Sequence, residues 1–297
     1  MEQRQTVKRA VDIKGVGLHS GREVRLTLKP APVGSGLRFV RTDLGLEVPA
    51  HVESLARLEY ATTLSRAGAR VDTVEHLLAA LYALGVDDAR IELDGQEVPI
   101  LDGSSAPFVD LVLQAGLRAH GGSRRHLKVL EPVEVIQGEK WLRLAPADDL
   151  RISYTIGFDH PLLRHQAATY RVTPESFAAE IAPARTFGFL RDIEALRQDG
   201  LARGGSLDNA VVFGEQALLT PLRFEDECVR HKILDAIGDL ALVGHPILGH
   251  LEAHKAGHAL HGALARKLLA TPQAWCLVTP RLAPAEPVVA RLALQAL

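Results

Sequence analysis

The chain has 297 residues, of which 47% are apolar and 24% are charged, and its formal net charge is -2. This composition is typical of a folded protein with a sizeable core, and the near-neutral charge gives no general argument for a nucleic-acid partner, which we do not expect. Its two cysteines are too few for a disulfide framework and indicate a reducing compartment.

Three strands and two helices are predicted in the first part of the chain. Residues 23–29 alternate apolar and polar side chains, as a half-buried strand does, and residues 37–40 do so more weakly. Apolar residues at helical spacing predict a helix over 71–84, followed by a strand at 89–93 and a second helix over 105–117.

A polar stretch with two glycines, residues 120–125, is the best linker candidate, and the pattern of strands followed by helices restarts after it. This repetition indicates an α+β fold with two similar domains, 1–122 and 126–297, each a two-layer sandwich of a β-sheet and helices. The elements predicted in the second half are strands at 127–136, 140–144 and 152–158, a helix that opens at 173–175 with a capping threonine and a proline, and helices at 193–199, 224–243 and 258–270.

Two of the predicted helices carry a Val-x-His sequence, ending at His76 and at His231. They occupy comparable places late in each half, which indicates a weak internal repeat. Chance is the alternative, because few positions match. A duplicated fold with its site between the halves would explain why each half donates one histidine.

A metal-ligand pattern joins these two segments. His231 and Asp235 are four residues apart, so they share one face of a helix. Together with His76 they provide the ligands of a catalytic zinc site with an open position, and the same set suits Fe²⁺. Asp239 follows one turn later, where it could orient a neighbouring side chain. The competing interpretation is a polar stripe on an amphipathic helix, with a structural His76.

Two further side chains could perform acid–base chemistry. Glu75 precedes His76, where a hydrolytic metal site needs a general base. The segment 72–75 also fits a capping box, and the local sequence does not decide between the two. His258 begins the last predicted helix, where the helix dipole disfavours a protonated imidazole. A carboxylate must offset this effect, and Asp239 is our candidate.

Several longer segments resemble the LpxC family of UDP-3-O-acyl-N-acetylglucosamine deacetylases. The resemblance extends from about residue 6 to about residue 269, nearly the whole chain, with the motifs in the family's order. The matching segments are GVGLHSG at 15–21, TVEHL at 73–77, PILDGSSAPF at 99–108, ARTFGF at 184–189, GGSLDNA at 204–210, RFEDE at 223–227 and HKILD at 231–235.

The resemblance implies a zinc-dependent hydrolase that removes acetate from UDP-3-O-(3-hydroxyacyl)-N-acetylglucosamine, the committed step of lipid A biosynthesis. It implies an active site between the two domains and a passage for the acyl chain near residues 193–213. The implied roles are metal ligation by His76, His231 and Asp235, general base catalysis by Glu75, oxyanion stabilisation by Thr186 and by a cationic His258 that Asp239 orients, and substrate binding by Lys232, Lys255, Phe158, Asp159, Phe187, Phe189 and Ile193.

The sequence leaves two other functions open: a zinc amidohydrolase for a different acylated sugar, and a non-enzymatic binding protein with this fold. The first residues lack the apolar core of a signal peptide, and no apolar run is long enough to span a bilayer. We therefore expect a cytoplasmic monomer. The acylated substrate leads us to expect peripheral contact with the inner face of the inner membrane.

Overall fold

The computed structural model describes residues 2–279, so the last part of the predicted second domain lies outside the described residues. Two large β-sheets, of five and seven strands, pack against helices. The predicted α+β class is confirmed. We retain the division into domains 1–122 and 126–297 as a proposal.

The described residues contain the following strands and helices. The strands are β1 (Gln3–Val7), β2 (Val11–Val16), β3 (Glu23–Pro30), β4 (Leu37–Arg41), β5 (Leu46–Pro49), β6 (Leu64–Arg66), β7 (Ala69–Val71), β8 (Ala89–Leu93), β9 (Leu117–Ser123), β10 (His126–Val129), β11 (Val133–Gln137), β12 (Lys140–Ala145), β13 (Leu150–Ile156), β14 (Gln166–Arg171), β15 (Phe187–Phe189), β16 (Val211–Phe213), β17 (Ile247–His254) and β18 (Trp275–Val278). The helices are α1 (Glu75–Ala83), α2 (Ala106–Ala115), α3 (Pro174–Ser176), which continues into a π-helical turn over Phe177–Ile181, α4 (Leu190–Gln198), α5 (Glu227–Leu240) and α6 (His258–Leu269).

The five-stranded sheet has the order β2-β3-β8-β4-β5, in which β4 and β8 are parallel and the other pairs are antiparallel. Its central strand β8 buries Ala89, Ile91 and Leu93 and leaves the alternate residues partly exposed. This alternation is the period of two that a pleated strand imposes. It explains why the sequence predicts β8 and its neighbour β3 well.

The seven-stranded sheet is built around β17, which pairs with β12 on one side and with β13 on the other, while its first residues also pair with β10. The outer strands are β11, β14 and β18. Like β8, β17 alternates buried and partly exposed residues along its whole length. The loop that follows β17 leads directly into α6, so this sheet positions the start of that helix.

Helices α1 and α5 cross at very short range. A Cβ atom at Gly238 of α5 would lie only 2.0 Å from the main-chain oxygen of Glu75 in α1. Glycine is therefore the residue that lets the two backbones meet here. The contact brings the N-terminal turn of α1 next to the C-terminal turn of α5, and the hydrophobic core is continuous around it.

The predicted helix over 71–84 begins too early. Val71 pairs with Leu64 in the hairpin of β6 and β7, and Thr73 has a φ of 58°, which is incompatible with a right-handed helix. The helix therefore begins at Glu75. Apolar spacing alone cannot detect this interruption, because buried residues of the hairpin continue the same pattern.

The predicted linker at 120–125 is largely a strand. Residues Leu117–Ser123 form β9, which pairs antiparallel with β1. Gly121 and Gly122 adopt positive φ angles of 91° and 72°, so the glycines that suggested a loop instead allow an irregular strand. In the same way the predicted strand over 127–136 is divided into β10 and β11.

Candidate metal centre and active site

The predicted metal ligands converge between α1 and α5. His76 is the second residue of α1, and His231 and Asp235 lie one turn apart on α5. Asp235 Oδ1 lies 3.3 Å from His231 Nε2 and 3.7 Å from His76 Nε2. All three residues are at most 3% exposed. Their ligand atoms are close enough together to hold one metal ion.

The chemistry of these donors fits a divalent metal. His231 Nδ1 donates a hydrogen bond to the main-chain oxygen of Ala184 at 3.0 Å. This leaves the lone pair of Nε2 free to coordinate a metal. Burial lowers the pKa of His231, and it lowers that of His76 to about 3, so both imidazoles are neutral. Asp235 Oδ1 and His76 Nδ1 are buried without a hydrogen-bond partner among the described residues. A bound cation would satisfy the orphaned carboxylate oxygen.

The carboxylate of Glu75 faces this cluster and does not cap α1. The N-cap residue is Val74, which makes no side-chain capping bond, so the capping-box interpretation is wrong. Instead Glu75 Oε2 accepts a hydrogen bond from the amide of Thr62 at 3.1 Å. Burial raises the pKa of Glu75 to about 8, although the charge of His258 opposes this. A cation held by the neighbouring ligands would lower this pKa, because an opposite charge favours the ionised carboxylate, which is the form that can take up a proton.

His258 is the first residue of α6 and lies across the site from α1. Its Nδ1 is 2.7 Å from Asp239 Oδ2, and its Nε2 is 3.9 Å from Glu75 Oε1. Burial alone would lower the pKa of His258, but Asp239 and then Asp235 raise it to about 9. The imidazole therefore carries a positive charge at neutral pH, despite its place at a helix N-terminus.

The sequence interpretation missed three residues around these groups. Thr62 donates its hydroxyl to Asp239 Oδ1 at 2.5 Å, and its amide binds Glu75. His261 Nδ1 is 2.7 Å from Asp239 Oδ2, and Tyr154 hydrogen-bonds to His261. The abundance of histidines near the C-terminal end was a weak signal for His261. Thr62 and Tyr154 come from distant segments and have no local signature.

A cavity of about 600 Å³ opens beside the metal-ligand cluster. One wall is aromatic, with the rings of Phe187 and Phe189 each 5.5 Å from that of Phe158. Apolar walls with a few polar groups are typical of a ligand pocket. The predicted site residues that line this cavity are Phe158, Thr186, Phe187, Phe189, Ile193, Lys232 and His258.

Two of the predicted substrate residues lie outside the lining of this cavity. Lys255 donates to Glu139 at 2.7 Å, and Asp159 lines a neighbouring cavity. Lys232 does line the main cavity, but its ammonium group donates to Asp235 at 2.7 Å. In the described structure, therefore, one hydrogen of the Lys232 ammonium group is bonded to a candidate metal ligand, and the other two remain for further acceptors.

A buried ion pair fixes the segment that contains Thr186. Arg185 Nε donates to Glu227 at 2.9 Å, and Glu227 is the first residue of α5. The amide of Thr186 also donates to the main-chain oxygen of Gly103 at 2.8 Å. A Cβ atom at Gly103 would lie 1.9 Å from the main-chain oxygen of Asn209. These contacts join four of the motifs, which are distant in sequence, and they depend on the side chains of Arg185 and Glu227 and on the lack of one at Gly103.

The fold and the site together define a class of protein: an α+β protein with two imidazoles and a carboxylate buried between two helices, beside a second carboxylate and a cationic histidine. Comparison with known proteins narrows the class. Residues 4–270 match the family model of LpxC, UDP-3-O-acyl N-acetylglycosamine deacetylase. The chain belongs to the LpxC family.

Curated relatives support the same assignment, and each is named UDP-3-O-acyl-N-acetylglucosamine deacetylase. The protein of Myxococcus xanthus (strain DK1622) is 51% identical over 281 residues, which cover 93% of this chain and 90% of the relative. The protein of Anaeromyxobacter sp. (strain Fw109-5) is 52% identical over 270 residues, which cover 90% of this chain and 89% of the relative. The protein of Syntrophotalea carbinolica is 46% identical over 277 residues, which cover 92% of this chain and 90% of the relative.

Proposed function

We propose that this protein is a zinc-dependent deacetylase that hydrolyses the acetamide of UDP-3-O-(3-hydroxyacyl)-N-acetylglucosamine, the committed step of lipid A biosynthesis. The observation that carries the proposal is the convergence of His76, His231 and Asp235 beside Glu75 and His258. The names of the relatives support this substrate. Two imidazoles and a carboxylate also suit Fe²⁺, which is the alternative metal in the cell.

In this proposal His76, His231 and Asp235 hold the metal. A bound Zn²⁺ would polarise the acetamide carbonyl and acidify a water molecule. Lys232 helps to keep Asp235 ionised. Burial opposes the charge of Asp235, but the ammonium group of Lys232 at 2.7 Å helps to hold the pKa of Asp235 well below its usual range. Ala184 fixes the orientation of His231 through its main-chain oxygen.

Glu75 is the proposed general base. It takes a proton from water as the water oxygen attacks the carbonyl carbon, and a positioned base of this kind contributes roughly 10²–10⁴-fold to the rate. The amide of Thr62 holds Oε2 in place, so that Oε1 faces the site.

His258 is the proposed cationic partner. Its positive charge stabilises the developing oxyanion, to which the hydroxyl of Thr186 donates, and its Nε2 proton passes to the nitrogen as the carbon–nitrogen bond breaks. Asp239 orients the imidazole through Nδ1. The products are acetate and the free amine.

The cavity beside the metal-ligand cluster is the proposed substrate site. Phe158, Asp159 and Phe189 would lie around the sugar and nucleotide, and Phe187 would also contact the substrate. Lys232 and Lys255 would face the diphosphate. The helix α4, which includes Ile193, and the strand β15 line the cavity, and β16 pairs with β15. We assign the passage for the acyl chain to this segment, near residues 193–213.

Within residues 2–279, no helix is long and apolar enough to cross a membrane. We propose that the protein acts as a monomer in the cytoplasm, close to the inner face of the inner membrane, where an acylated substrate would partition. A vesicle-sedimentation assay with and without this substrate tests the membrane contact.

The test of the proposed function is a deacetylation assay with metal content measured on the same sample. We expect acetate release from UDP-3-O-(3-hydroxyacyl)-N-acetylglucosamine, about one bound metal ion per chain at the single proposed site, and loss of activity on chelation. Substrates that lack the nucleotide or the acyl chain should react much more slowly. Faster release from another acylated sugar would identify a different amidohydrolase, and metal binding without turnover would indicate a binding protein.

A further inference from the structure

Asp239 serves two imidazoles, and only one of them belongs to the proposed mechanism. Its Oδ2 atom lies 2.7 Å from Nδ1 of both His258 and His261, and its Oδ1 accepts from the hydroxyl of Thr62 at 2.5 Å. His261 is 1% exposed and Asp239 is 2% exposed. A carboxylate held by three partners in a dry interior has a fixed position, because any rotation would leave a buried polar group unsatisfied.

The second imidazole has a partner of its own on the seven-stranded sheet. His261 Nε2 lies 3.0 Å from the hydroxyl of Tyr154, and the two rings meet edge to face at 6.0 Å. Tyr154 belongs to β13 and is 1% exposed, whereas His261 belongs to α6. A continuous chain of hydrogen bonds therefore leads from the sheet through His261 and Asp239 to His258.

The positions of the protons along this chain follow from Asp239. Burial would raise the pKa of Asp239, but the charge of His258 and the hydrogen bonds from both imidazoles lower it to about 2, so the carboxylate is an acceptor only. Both imidazoles must then carry hydrogen on Nδ1. Burial lowers the pKa of His261, so its Nε2 is the free acceptor. Tyr154 donates its hydroxyl hydrogen to that nitrogen.

We propose that Tyr154 and His261 are positioning residues of the site, which hold Asp239 so that His258 keeps its Nε2 turned toward Glu75. This role rests on the proposed function. His258 Nε2 lies 3.9 Å from Glu75 Oε1 and also 3.9 Å from Asp235 Oδ2, so a small rotation of the ring would move its proton away from the reacting atoms. His258 stands at the start of α6, where one hydrogen bond to Asp239 and a 3.2 Å contact with Thr62 orient the ring.

The first test is Tyr154→Phe, which keeps the buried ring and removes only the hydroxyl. We expect kcat to fall about three- to ten-fold, the effect of one neutral hydrogen bond, while KM and metal content stay unchanged. The matched control is Tyr82→Phe. The hydroxyl of Tyr82 accepts from the amide of Ile247 at 2.8 Å, away from Asp239, and its loss should leave kcat unchanged.

A double-mutant cycle tests whether Tyr154 and His261 act on kcat through the same chain of hydrogen bonds. His261→Ala should lower kcat more than Tyr154→Phe does. The double variant should be no slower than His261→Ala alone, because both residues act through the same chain of hydrogen bonds. His261→Asn, which keeps a donor on a shorter side chain, should recover part of the loss. Additive effects of the two substitutions would overturn the proposal.

A second readout does not depend on activity. In ¹⁵N NMR spectra of the imidazoles we expect His261 to be protonated at Nδ1 and not at Nε2, and Tyr154→Phe to shift the Nε2 resonance where Tyr82→Phe does not. A protonated Nε2 in the wild-type protein would overturn the proposal. So would an active wild-type enzyme whose kcat is unchanged by Tyr154→Phe. A wild-type protein without deacetylase activity would instead overturn the proposed function, and this role with it.

Discussion

At the scale of single residues, the site depends on a few titratable side chains that the protein interior forces into unusual protonation states. Glu75 and His258 face each other, and burial raises the pKa of the first to about 8, while Asp239 and Asp235 outweigh burial to raise the pKa of the second to about 9. The protonation state of each of these two residues depends on side chains from other helices. Substitutions of single polar atoms should therefore change chemistry more than they change folding.

Replacement of Glu75 by glutamine tests the general base. Glu75→Gln should retain bound metal, because Glu75 is not among the three proposed ligands, and kcat should fall by roughly 10²–10⁴-fold. Metal analysis and steady-state kinetics on the same preparation measure both quantities. Glu53→Gln is a matched control, because Glu53 is a carboxylate whose side chain is 83% exposed, and it should leave both values unchanged. Near-normal turnover of Glu75→Gln would exclude this role.

Replacement of Asp239 by asparagine tests the charge of His258. Burial lowers the pKa of His258 and Asp239 is the first of the groups that raise it, so Asp239→Asn should lower this pKa from about 9. The proposed mechanism needs the protonated form, which is present below the pKa. The basic limb of the kcat profile should therefore move to lower pH, with a smaller kcat at its maximum. An unchanged basic limb would mean that another group controls it.

At the scale of elements, local sequence predicted strands with strict alternation better than it predicted where elements end. Strands β3 and β8 follow from their alternation alone. The start of α1 does not, because a left-handed Thr73 interrupts an apolar pattern that continues into the neighbouring hairpin. Residues 120–123 of strand β9 are predicted as part of a linker because of their glycines, and local sequence cannot reveal the pairing with β1, which connects residues more than a hundred positions apart.

The crossing of α1 and α5 provides a prediction at this scale. Gly238→Ala should destabilise the protein by about 1–3 kcal/mol, since the added methyl group meets the rigid main chain of Glu75. It should also reduce metal binding, because the two helices that carry the ligands must separate. Urea unfolding and metal titration measure these effects.

The control for this substitution is Gly262→Ala in α6. Gly262 is also a buried helical glycine, but its nearest neighbour is Leu58 Cδ1 at 2.7 Å, the mobile end of a side chain that can turn away. Gly262→Ala should lower the free energy of unfolding much less than Gly238→Ala does, and it should leave metal binding unchanged. Equal losses from both variants would show that the approach of α1 and α5 has no special role.

At the scale of the whole molecule, a polar cluster of Glu2, Asp87, Arg124 and His126 connects the residue before β1 with the start of β10. Glu2 accepts from Arg124 at 2.6 Å and contacts His126 at 2.8 Å, and Arg124 also binds Asp87. Burial would raise the pKa of Glu2, but His126 and Arg124 lower it to about 2. The ionised form of Glu2 therefore stabilises the connection between the two halves.

This cluster predicts a dependence of stability on pH. The pKa of Glu2 is lowered from 4.5 to about 2, so its stabilisation is complete above pH 4.5 and is lost as the pH falls toward 2. Glu2→Gln should cost about 1–2 kcal/mol at pH 7, a value reduced for solvent screening of a partly exposed group. Chemical unfolding at pH 7, 4 and 3 should show the difference in the free energy of unfolding between wild type and Glu2→Gln shrinking at pH 4 and much further at pH 3. A constant difference would contradict this account.

The sequence by itself determined the α+β class, the alternating strands and the residues of the candidate metal set, because alternation, helical spacing and ligand type are local properties. Only the tertiary structure decided which groups surround those residues. It places Thr62 against Asp239, 177 positions away, and Tyr154 against His261, 107 positions away. It also turns Glu75 from a possible cap toward His258 and pairs Lys232 with Asp235. These contacts depend on how α1, α5 and α6 pack, and no local pattern encodes that packing.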